Sequence, residues 1–257
     1  MRPDRTDTTT PLDPDNFAVI IPARFASSRF PGKPLADIAG QSLIERVWRQ
    51  CIQAVPASQV IVATDDDRIR THCEGFGADV EMTSDQCATG TDRVAQVVEQ
   101  RGLDYAINVQ GDEPFVRPED ITAVRDRFLA NDGQRVVNAM AAITSEAEFT
   151  SLAVPKVVFD QQGQLLYMSR AAIPGNKAAR LINAWKQICI YGFSRGHLAK
   201  FAQQLEKTPF EAIEDIEILR FLELGISVQM LSVSSGTIAV DFPEDIERAL
   251  ALLEGTQ

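Results

Sequence analysis

Three short apolar runs, each ending in a polar loop, constrain the fold of this chain more than any other feature. In chain order they read FAVIIPAR, QVIVATDD and DYAINVQGDEP. Each is rich in β-branched residues and apolar at successive positions, which is typical of strands buried on both faces of a parallel sheet. Ligands of such sheets bind outside the carboxyl ends of the strands. We therefore expect the loops after Ile21, Ala63 and Val109 to converge on one site.

Segments with helical spacing alternate with these runs. In SLIERVWRQCIQAV the apolar residues recur at helical spacing, and Ser42 with Glu45 three residues later is typical of a helix start. The segment DRIRTHCEGFGA predicts a helix that ends near Gly75 or Gly77, DVEMT a short strand and TDRVAQVVEQRG a further helix. This alternation predicts an α/β fold with a mostly parallel, doubly wound sheet and helices on both faces.

The second half of the chain is less regular. VVNAMAAIT, PKVVFDQQGQLLYMSR, KQICIYGFSR and ISVQMLSV predict strands, and a turn at Gly163 makes a hairpin of the second of them. HLAKFAQQL, IEDIEILRFLELG and PEDIERALALLE predict helices, the last with Pro243 in its first turn. We expect one domain over residues 17–257, with a small hairpin-rich dimerisation subdomain inserted around residues 135–200.

Composition excludes several classes of protein. Lys and Arg number 25 against 36 Asp and Glu, and this net charge of −11 argues against a nucleic-acid binder, which needs clustered cations for the phosphate backbone. The four cysteines form no Cys-x-x-Cys pair, and two histidines are too few for a His-rich metal site. We therefore expect neither a zinc site nor a disulfide framework.

The sequence gives no sign of a membrane partner. No apolar run is long enough to span a bilayer. The polar residues 1–16 lack the apolar core of a signal peptide, and we expect them to form a flexible tail. We expect the protein to be cytoplasmic.

The loop after the first run carries a cluster of cations. The segment ARFASSRFPGKP contains Arg24, Arg29 and Lys33, and its Gly32 is expected to let the backbone approach a ligand closely. In an acidic protein such a cluster makes a local anion site, because Arg suits bidentate phosphate contacts and Lys acts as a point charge. The loop is not a P-loop, since Gly-x-x-x-x-Gly-Lys-Ser/Thr is absent. The alternative is a solvated basic loop.

Carboxylates follow two other predicted strands. Asp112 and Glu113 end the strand in VQGDEP, and Asp241 precedes the helix in AVDFPEDIE. Acids at strand ends beside a phosphate loop are where a nucleotide-bound Mg²⁺ is held, so Asp112 and Asp241 are candidate metal ligands. Acids in turns are common, however, and Asp245 in the first helical turn has a simpler role with the helix dipole. The run TDDD predicts a helix cap and a solvated face.

A series of motifs covers nearly the whole chain beyond the tail. In order they read PARFASSRFPGKPL, VATDDDRI, GTDR, NVQGDEP, KVVFD, LLYMSRA, IYGF, EDIEILRFLELG and VDFPEDIERA. In this order they resemble the motifs of the 3-deoxy-manno-octulosonate (Kdo) cytidylyltransferase family, the CMP-Kdo synthetases. The first loop and VQGDEP are each fairly specific to that family. Cytidylyltransferases for sialic-acid-like sugars belong to the wider family and share the first loop.

The resemblance implies a nucleotidyltransferase-type fold, a homodimer and a transfer reaction. The anomeric hydroxyl of Kdo, a 2-keto-3-deoxy sugar acid, would attack the α-phosphate of CTP, and pyrophosphate would leave. Mg²⁺ would be the cofactor, since phosphoryl transfer depends on charge neutralisation and positioning. The CMP-sugar would feed the assembly of a glycan such as lipopolysaccharide or capsule.

The resemblance also implies roles for particular residues. Arg24, Lys33 and Asp112 would be catalytic, and Asp112 with Asp241 would hold Mg²⁺. The residues implied to contact CTP are Pro22, Ala23, Arg24, Ser27, Ser28, Arg29, Lys33, Thr89 and Gly90. The residues implied to face the sugar are Gln110, Arg170, Gln187, Tyr191 and Glu214.

Three of the sugar-facing residues also have simpler explanations. Tyr191 could be a core aromatic residue, and Arg170 could be a surface charge on the hairpin. Glu214 could lie with Glu217 on a solvated helix face, because the two are three residues apart. The residues by themselves favour these structural roles.

This chain departs from the usual family pattern at five positions. Cys87 and Gln187 stand where a histidine is usual, Gly175 where an aromatic residue is usual, Cys189 in place of glycine and Phe242 in place of threonine. These changes lie in segments expected near the sugar. The alternatives are therefore the same chemistry on 8-amino-Kdo or a nonulosonic acid, or a non-catalytic nucleotide-binding relative. A dinucleotide-dependent oxidoreductase is excluded, because no Gly-x-Gly-x-x-Gly follows the first run.

Overall fold

The strands and helices of the computed structural model follow the alternation in the sequence. The structure describes residues 12–26, 30–178, 180–234 and 239–255. Its strands are β1 (Phe17–Ala23), β2 (Asp37–Ile38), β3 (Gln41–Ser42), β4 (Val60–Thr64), β5 (Asp79–Met82), β6 (Tyr105–Val109), β7 (Val136–Ala142), β8 (Lys156–Phe159), β9 (Leu165–Ser169), β10 (Trp185–Ser194) and β11 (Val228–Ser232). Its α-helices are α1 (Leu43–Ala54), α2 (Asp67–Gly75), α3 (Gly90–Arg101), α4 (Pro118–Ala130), α5 (Glu146–Thr150), α6 (Arg195–Ala202), α7 (Pro209–Glu214), α8 (Ile218–Glu223) and α9 (Asp245–Gly255).

A nine-stranded sheet runs through the centre of the molecule, and its main path has the strand order β11-β7-β10-β6-β1-β4-β5. The three apolar runs of the first half form the neighbouring strands β6, β1 and β4, which are parallel and wholly buried. The pairs β4–β5 and β7–β11 are also parallel, whereas β10 runs antiparallel between β6 and β7. The predicted mostly parallel sheet is confirmed.

Alternate residues of the central strands face opposite layers of helices. Val19 and Ile21 of β1 pack with apolar residues of α1, α2 and α4, whereas Ala18 and Ile20 pack with those of α3, α6 and α8. Both faces of the strand are apolar for this reason, and the predicted doubly wound arrangement is confirmed. Among the helices of the described residues, none has the length and apolar character needed to cross a membrane.

The structure adds α4, a helix that the motifs above do not predict. Pro118 opens its first turn and Glu119 follows, while Ile121, Val124 and Phe128 form its buried face. A proline and an acid at a helix start, followed by apolar residues at helical spacing, are a recognised signal. The sequence therefore does contain the evidence for α4.

Two predicted helices have different bounds. The segment IEDIEILRFLELG contains the end of α7 and all of α8, because Asp215 between them adopts a left-handed conformation (φ 52°) that ends the first helix. The last helix begins at Asp245, and Pro243 lies in the preceding turn. The short helix α5 was not predicted and is capped by Ser145.

The segment predicted as a subdomain, around residues 135–200, contributes both to the main sheet and to a hairpin beside it. β7 and β10 are inner strands of the main sheet, and the β8–β9 hairpin extends from the first residues of β10. The antiparallel pairing predicted for this part of the chain is confirmed. The bounds of the domain and its dimerisation role stay predictions.

The end of the predicted tail makes hydrogen bonds with the rest of the protein. The Tyr105 hydroxyl of β6 donates to the Pro14 carbonyl (2.8 Å), and the Asn16 side-chain amide donates to the carbonyl of Gly102, which follows α3 (3.2 Å). These polar groups find partners on the body of the protein, which is why the segment is ordered. The earlier part of the predicted tail lies outside the described residues.

His197, in the first turn of α6, is held in its neutral form. The main-chain N–H of Ser194 donates to His197 Nδ1 (3.4 Å), and the main-chain N–H of His197 donates to the Ser194 hydroxyl (3.2 Å). Together these two bonds make a capping box. Burial lowers the pKa of His197 from 6.5 to about 4. Because this pKa is depressed in the folded state, its contribution to stability is present above the unfolded pKa and is lost as pH falls.

We expect His197→Gln to remove this part of the pH dependence. Glutamine keeps the capping box but does not titrate. Between pH about 7 and about 4, the wild type should lose about 3 kcal/mol more of its free energy of unfolding than the variant. Urea unfolding across this range measures the difference. Parallel pH profiles for the two proteins would show that His197 is not the group responsible.

Candidate active site

The loop after β1 is anchored at both ends. Pro22 and Ala23 are the buried last residues of β1, and the exposed Arg24 follows them. The Gly32 N–H donates to the Phe25 carbonyl (2.9 Å) and closes the loop. Gly32 has a φ of 71°, and a Cβ at this position would lie 3.1 Å from the Phe25 ring. The turn and the Phe25 contact therefore explain this glycine without the close ligand approach that the sequence suggests.

The ends of β1 and β6 meet the start of α3. Gly111 follows β6 and passes so near to β1 that a Cβ would lie 2.7 Å from the Pro22 carbonyl oxygen, which only glycine allows. A Cβ on Gly90 would lie 3.1 Å from the Gln110 side-chain amide and 3.3 Å from Pro22. The predicted convergence is confirmed for the loops after Ile21 and Val109. The predicted CTP contacts that lie outside the described residues are Ser27, Ser28 and Arg29.

Lys33 joins the first loop to two carboxylates. Its ammonium nitrogen lies 2.9 Å from Asp112 Oδ2 and 3.5 Å from Asp241 Oδ1. The Val240 N–H donates to the Asp112 carbonyl (2.9 Å), and the Asp241 N–H donates to the Asp245 carboxylate (2.8 Å). These bonds hold the segment before α9 against the end of β6. The structure therefore brings both predicted metal ligands to one cation.

Burial and mutual attraction set the charges of this cluster. Burial alone lowers the pKa of Lys33, but Asp112 and Asp241 outweigh it and raise the pKa above its usual value. Lys33 is therefore a cation at neutral pH. Burial and the charge of Asp112 raise the pKa of the adjacent Glu113 to about 7. One Glu113 oxygen is buried without a hydrogen-bond partner in the described part of the chain.

The donor set fits Mg²⁺ bound to a phosphate group. Within the described residues, no three His, Cys, Asp or Glu side chains gather as a metal site. Asp112 and Asp241 thus offer two carboxylates, and Mg²⁺ is commonly held by one or two carboxylates with substrate phosphates and waters. The two residues suit an ion that arrives with a nucleotide better than an all-protein cage.

The first turn of α3 is held by a protein carboxylate. Glu217 accepts hydrogen bonds from the N–H groups of Gly90 (3.2 Å) and Thr91 (2.8 Å), and Thr89 caps the helix. Burial raises the pKa of Glu217. Its simpler explanation, a solvated helix face, is wrong, because the carboxylate pairs with helix N–H groups that would otherwise be open to an anion.

A buried ion network supports this turn. Arg220 is 1% exposed and makes a bidentate pair with Glu211, with Nε···Oε2 at 2.6 Å and Nη2···Oε1 at 2.7 Å. Its Nη1 also donates to Asp92 (3.1 Å), which in turn accepts from the Thr89 N–H (3.0 Å). The network therefore connects α7 and α8 to the start of α3.

Arg170 and Glu214, both predicted to face the sugar, bind each other's segments. The Glu214 carboxylate accepts from the Ser169 hydroxyl (2.6 Å) and the Arg170 N–H (2.9 Å). Burial would raise the pKa of Glu214, but these bonds outweigh it and lower the pKa. The Arg170 guanidinium donates to the carbonyls of Leu152, Glu214 and Asp215. A guanidinium has further N–H groups, so Arg170 keeps donors for a ligand.

Gln187 and Tyr191 lie on β10, close to the end of β6. The Gln110 N–H donates to the Cys189 carbonyl (3.1 Å), which ties Gln110 to β10. Tyr191 is 8% exposed, as expected of a core aromatic residue. Burial and the neighbouring Cys189 hold the pKa of Tyr191 well above its usual range, so the hydroxyl keeps its proton. The Gln187 side chain donates to Asn138 Oδ1 (3.1 Å).

The remaining departures from the family pattern lie elsewhere. Cys87 lines a cavity of about 590 Å³ between α3 and α6, which contains none of the predicted site residues that the structure describes. Phe242 is 41% exposed beside Asp241, and a Cβ on Gly175 would meet no atom within 4 Å. Gln187 and Cys189 lie on β10 with Tyr191, whereas Cys87 lines this separate cavity, and the position of all five departures relative to the sugar stays a prediction.

Sequence reasoning misses several polar residues that build the site. Arg220 and Asn138 have no role in the prediction, Glu217 has only a solvated-face role and Asp245 only a helix-dipole role. A signal exists for two of them: Asn138 interrupts the apolar run VVNAMAA, and Arg220 lies within the apolar segment ILRFL. A polar residue at a core position is usually hydrogen-bonded in the interior, so such interruptions predict buried networks.

Comparison with known proteins agrees with this geometry. A family model described as cytidylyltransferase matches residues 18–230. The 3-deoxy-manno-octulosonate cytidylyltransferase of Myxococcus xanthus (strain DK1622) is 44% identical over 236 residues, which cover 91% of this chain and 95% of that protein. The 8-amino-3,8-dideoxy-manno-octulosonate cytidylyltransferase of Shewanella baltica (strain OS155 / ATCC BAA-1091) is 38% identical over 240 residues, covering 91% and 96%.

The fold is also that of a solved relative. The structure of CMP:2-keto-3-deoxy-manno-octonic acid synthetase complexed with CTP is 34% identical in sequence and superposes with a TM-score of 0.86. The match covers 95% of this chain and 100% of that chain. Nearly every element described above therefore has a counterpart in that protein.

The buried Arg220 network yields a prediction for stability. Arg220→Met should lower the free energy of unfolding by about 3–5 kcal/mol, because Glu211 is left as a buried charge without its cation. Adding Glu211→Gln should recover much of the loss, since glutamine is neutral and still completes the capping box of α7. Chemical unfolding of the two variants measures both effects. A double variant no more stable than the single one would mean that the charge of Glu211 is not the cause.

Proposed function

The chain belongs to the cytidylyltransferase family, and from the site that it builds we propose that it transfers CMP from CTP to the anomeric hydroxyl of Kdo, releasing pyrophosphate. Kdo is proposed because the Myxococcus relative and the solved CTP complex are both named for this sugar acid. The Myxococcus relative and the solved structure each match at least 91% of this chain, and this coverage supports the same chemistry.

The observation that carries the proposal is the cluster of Lys33, Asp112 and Asp241. One cation and two carboxylates meet at the carboxyl edge of the parallel strands, and the exposed Arg24 follows the carboxyl end of β1. Catalysis of phosphoryl transfer rests on neutralising charge and on positioning the reacting groups. A cluster of this composition supplies both.

In the proposed reaction, the anomeric oxygen forms a bond to the α-phosphorus of CTP. The bond from that phosphorus to the oxygen bridging to the β-phosphate breaks, and pyrophosphate leaves with the electron pair. The proton of the sugar hydroxyl is released to solvent. Arg24 and Lys33 neutralise the charge on the phosphates, while Pro22, Ala23, Thr89 and Gly90 form the wall for the nucleoside. The remaining proposed CTP contacts are Ser27, Ser28 and Arg29.

Asp112 and Asp241 are proposed to hold Mg²⁺. When bound, the ion would lower the pKa of the sugar hydroxyl and offset charge on the α-phosphate. Hydrogen bonds with the Val240 N–H and the Asp245 carboxylate hold the main chain of Asp112 and Asp241, and Lys33 pairs with both of their carboxylates. The residues of this chain therefore prepare the site before the nucleotide arrives.

The sugar is proposed to bind between β10 and the hairpin. Gln110, Gln187 and Tyr191 present amides and a hydroxyl that suit sugar hydroxyls, and the unused N–H groups of Arg170 suit a carboxylate. Glu214 orients Arg170 through its N–H. The Shewanella relative is named for 8-amino-Kdo, so the same chemistry on that sugar is the second candidate.

We also propose that the protein works in the cytoplasm as a homodimer, and that its product enters lipopolysaccharide or capsule. Large apolar side chains stand exposed on the hairpin and on α7, with Leu166 at 57%, Phe210 at 51% and Ile213 at 77%. Large exposed apolar side chains are a common feature of protein interfaces. Light-scattering mass in solution tests the dimer, and a monomer would contradict it.

The function is tested by pyrophosphate release with CTP, Mg²⁺ and a panel of sugar acids. We expect turnover with Kdo, and kcat/KM for Kdo above that for 8-amino-Kdo and for a nonulosonic acid. A competitor that exceeds Kdo by about tenfold would replace the named sugar, because site differences of this kind shift specificity by such factors. Release with none of the sugars would overturn cytidylyl transfer itself.

The metal assignment makes a separate prediction. Asp112→Asn and Asp241→Asn should each reduce turnover by several orders of magnitude while the fold survives, since each removes a carboxylate from the proposed Mg²⁺ shell. Asp67→Asn is the matched control, because Asp67 is an exposed acid after the neighbouring strand β4. Turnover within about tenfold of wild type for both site variants, at saturating Mg²⁺, would remove the assignment.

A further inference from the structure

The antiparallel strand β10 changes its neighbour partway along its length. Its first residues pair with β8, and the Gln187 N–H donates to the Pro155 carbonyl (3.0 Å). From Ile190 onward it pairs with β6 instead. β10 therefore passes from one neighbour to the other between Gln187 and Cys189. Gln110 follows β6 at this point, and its N–H donates to the Cys189 carbonyl (3.1 Å).

The opposite edge of β10 carries an irregularity at the same place. Ile188 lies opposite Ala139 of β7, but Tyr191 lies opposite Asn138, the next residue along. Cys189 and Ile190 therefore have no opposite residue in β7. Such bulges re-aim side chains and are frequent next to active sites.

Asn138 supplies the hydrogen bonds that the bulge removes. Its Nδ2 donates to the carbonyls of Ile188 (2.9 Å) and Ile190 (3.1 Å), and its Oδ1 accepts from the Gln187 amide (3.1 Å). Asn138, Ile188 and Ile190 are all buried, so the two carbonyls lie away from water and need a partner within the protein. Both amide hydrogens are used, and a reversed amide would face two carbonyl oxygens. The side chain therefore has one permitted orientation.

We propose that Asn138 is a positioning residue for the sugar-acid site. It fixes the bulge of β10, and through the bulge it fixes Gln187 and Tyr191, together with the Cys189 carbonyl that holds Gln110. This inference rests on the proposed function, in which these three side chains face the sugar. Asn138 itself touches neither substrate.

Asn138→Ala tests the proposal through the two Michaelis constants. We expect the KM for Kdo to rise by about tenfold, the factor that corresponds to one lost hydrogen bond, while the KM for CTP stays within about twofold. Asn138→Ser keeps one donor for the two carbonyls and should show a smaller rise. It also serves if the alanine variant does not fold.

Gln229→Ala is the matched control. Gln229 is likewise a buried amide in the sheet, but its side chain bonds to Gln162, Met230 and Arg135, none of which belongs to β10. This variant should lose stability and keep the KM for Kdo. Hydrogen exchange without substrates gives a second readout. Peptides that span Gln187 to Tyr191 should exchange faster in Asn138→Ala and unchanged in the control.

The outcomes separate this inference from the proposed function. If the wild-type protein is active and Asn138→Ala raises both KM values equally, or raises neither, then Asn138 is only structural. Unchanged exchange around Tyr191 would overturn its hold on the bulge. Wild-type protein that releases no pyrophosphate from CTP and any of the sugar acids would overturn the proposed function, and this inference with it.

Discussion

Lys33 lies between Asp112 and Asp241, and this contact depends on three separate segments of the fold. The lysine comes from the loop after β1, Asp112 from the end of β6 and Asp241 from the segment before α9. The two strands must be parallel neighbours for their ends to meet, and Gly111 must pass against the Pro22 carbonyl. Removing any one of these conditions would leave like charges or an isolated cation at the edge of the sheet. The doubly wound sheet is thus the support that makes the charge cluster possible.

A second constraint acts on the other half of the site. β10 runs antiparallel to its neighbours, changes partner from β8 to β6 and carries a bulge against β7. A bulge leaves carbonyls without a partner in the neighbouring strand, which is costly in the interior. The Asn138 side chain donates a hydrogen bond to a carbonyl of the bulge, and the Glu217 carboxylate accepts one from an N–H group in the first turn of α3. Buried polar side chains therefore stabilise the irregular backbone from which the proposed sugar site is built.

Much of the fold and part of the site could be predicted because the signals are local. The strands β1, β4 and β6 are predicted by their apolar sequences, and the acids of VQGDEP follow the end of a parallel strand. Local signals failed where the outcome depends on distant contacts. Asp215 splits a predicted helix, because its left-handed backbone cannot be read from helical spacing. Glu217 looks like part of a solvated face until α3 is packed against it, and then its carboxylate pairs with the helix N–H groups.

By itself the sequence determined the α/β class, the order of the strands and helices along the chain, and the residue types of the charge cluster. Burial pattern and residue chemistry are properties of short segments, so they can be predicted without the tertiary structure. Only the tertiary structure decided which charges meet, that Arg170 binds three main-chain carbonyls, and that Asn138 holds the bulge of β10. These contacts join residues far apart in the chain. Their existence depends on strand order and register, which no local spacing encodes.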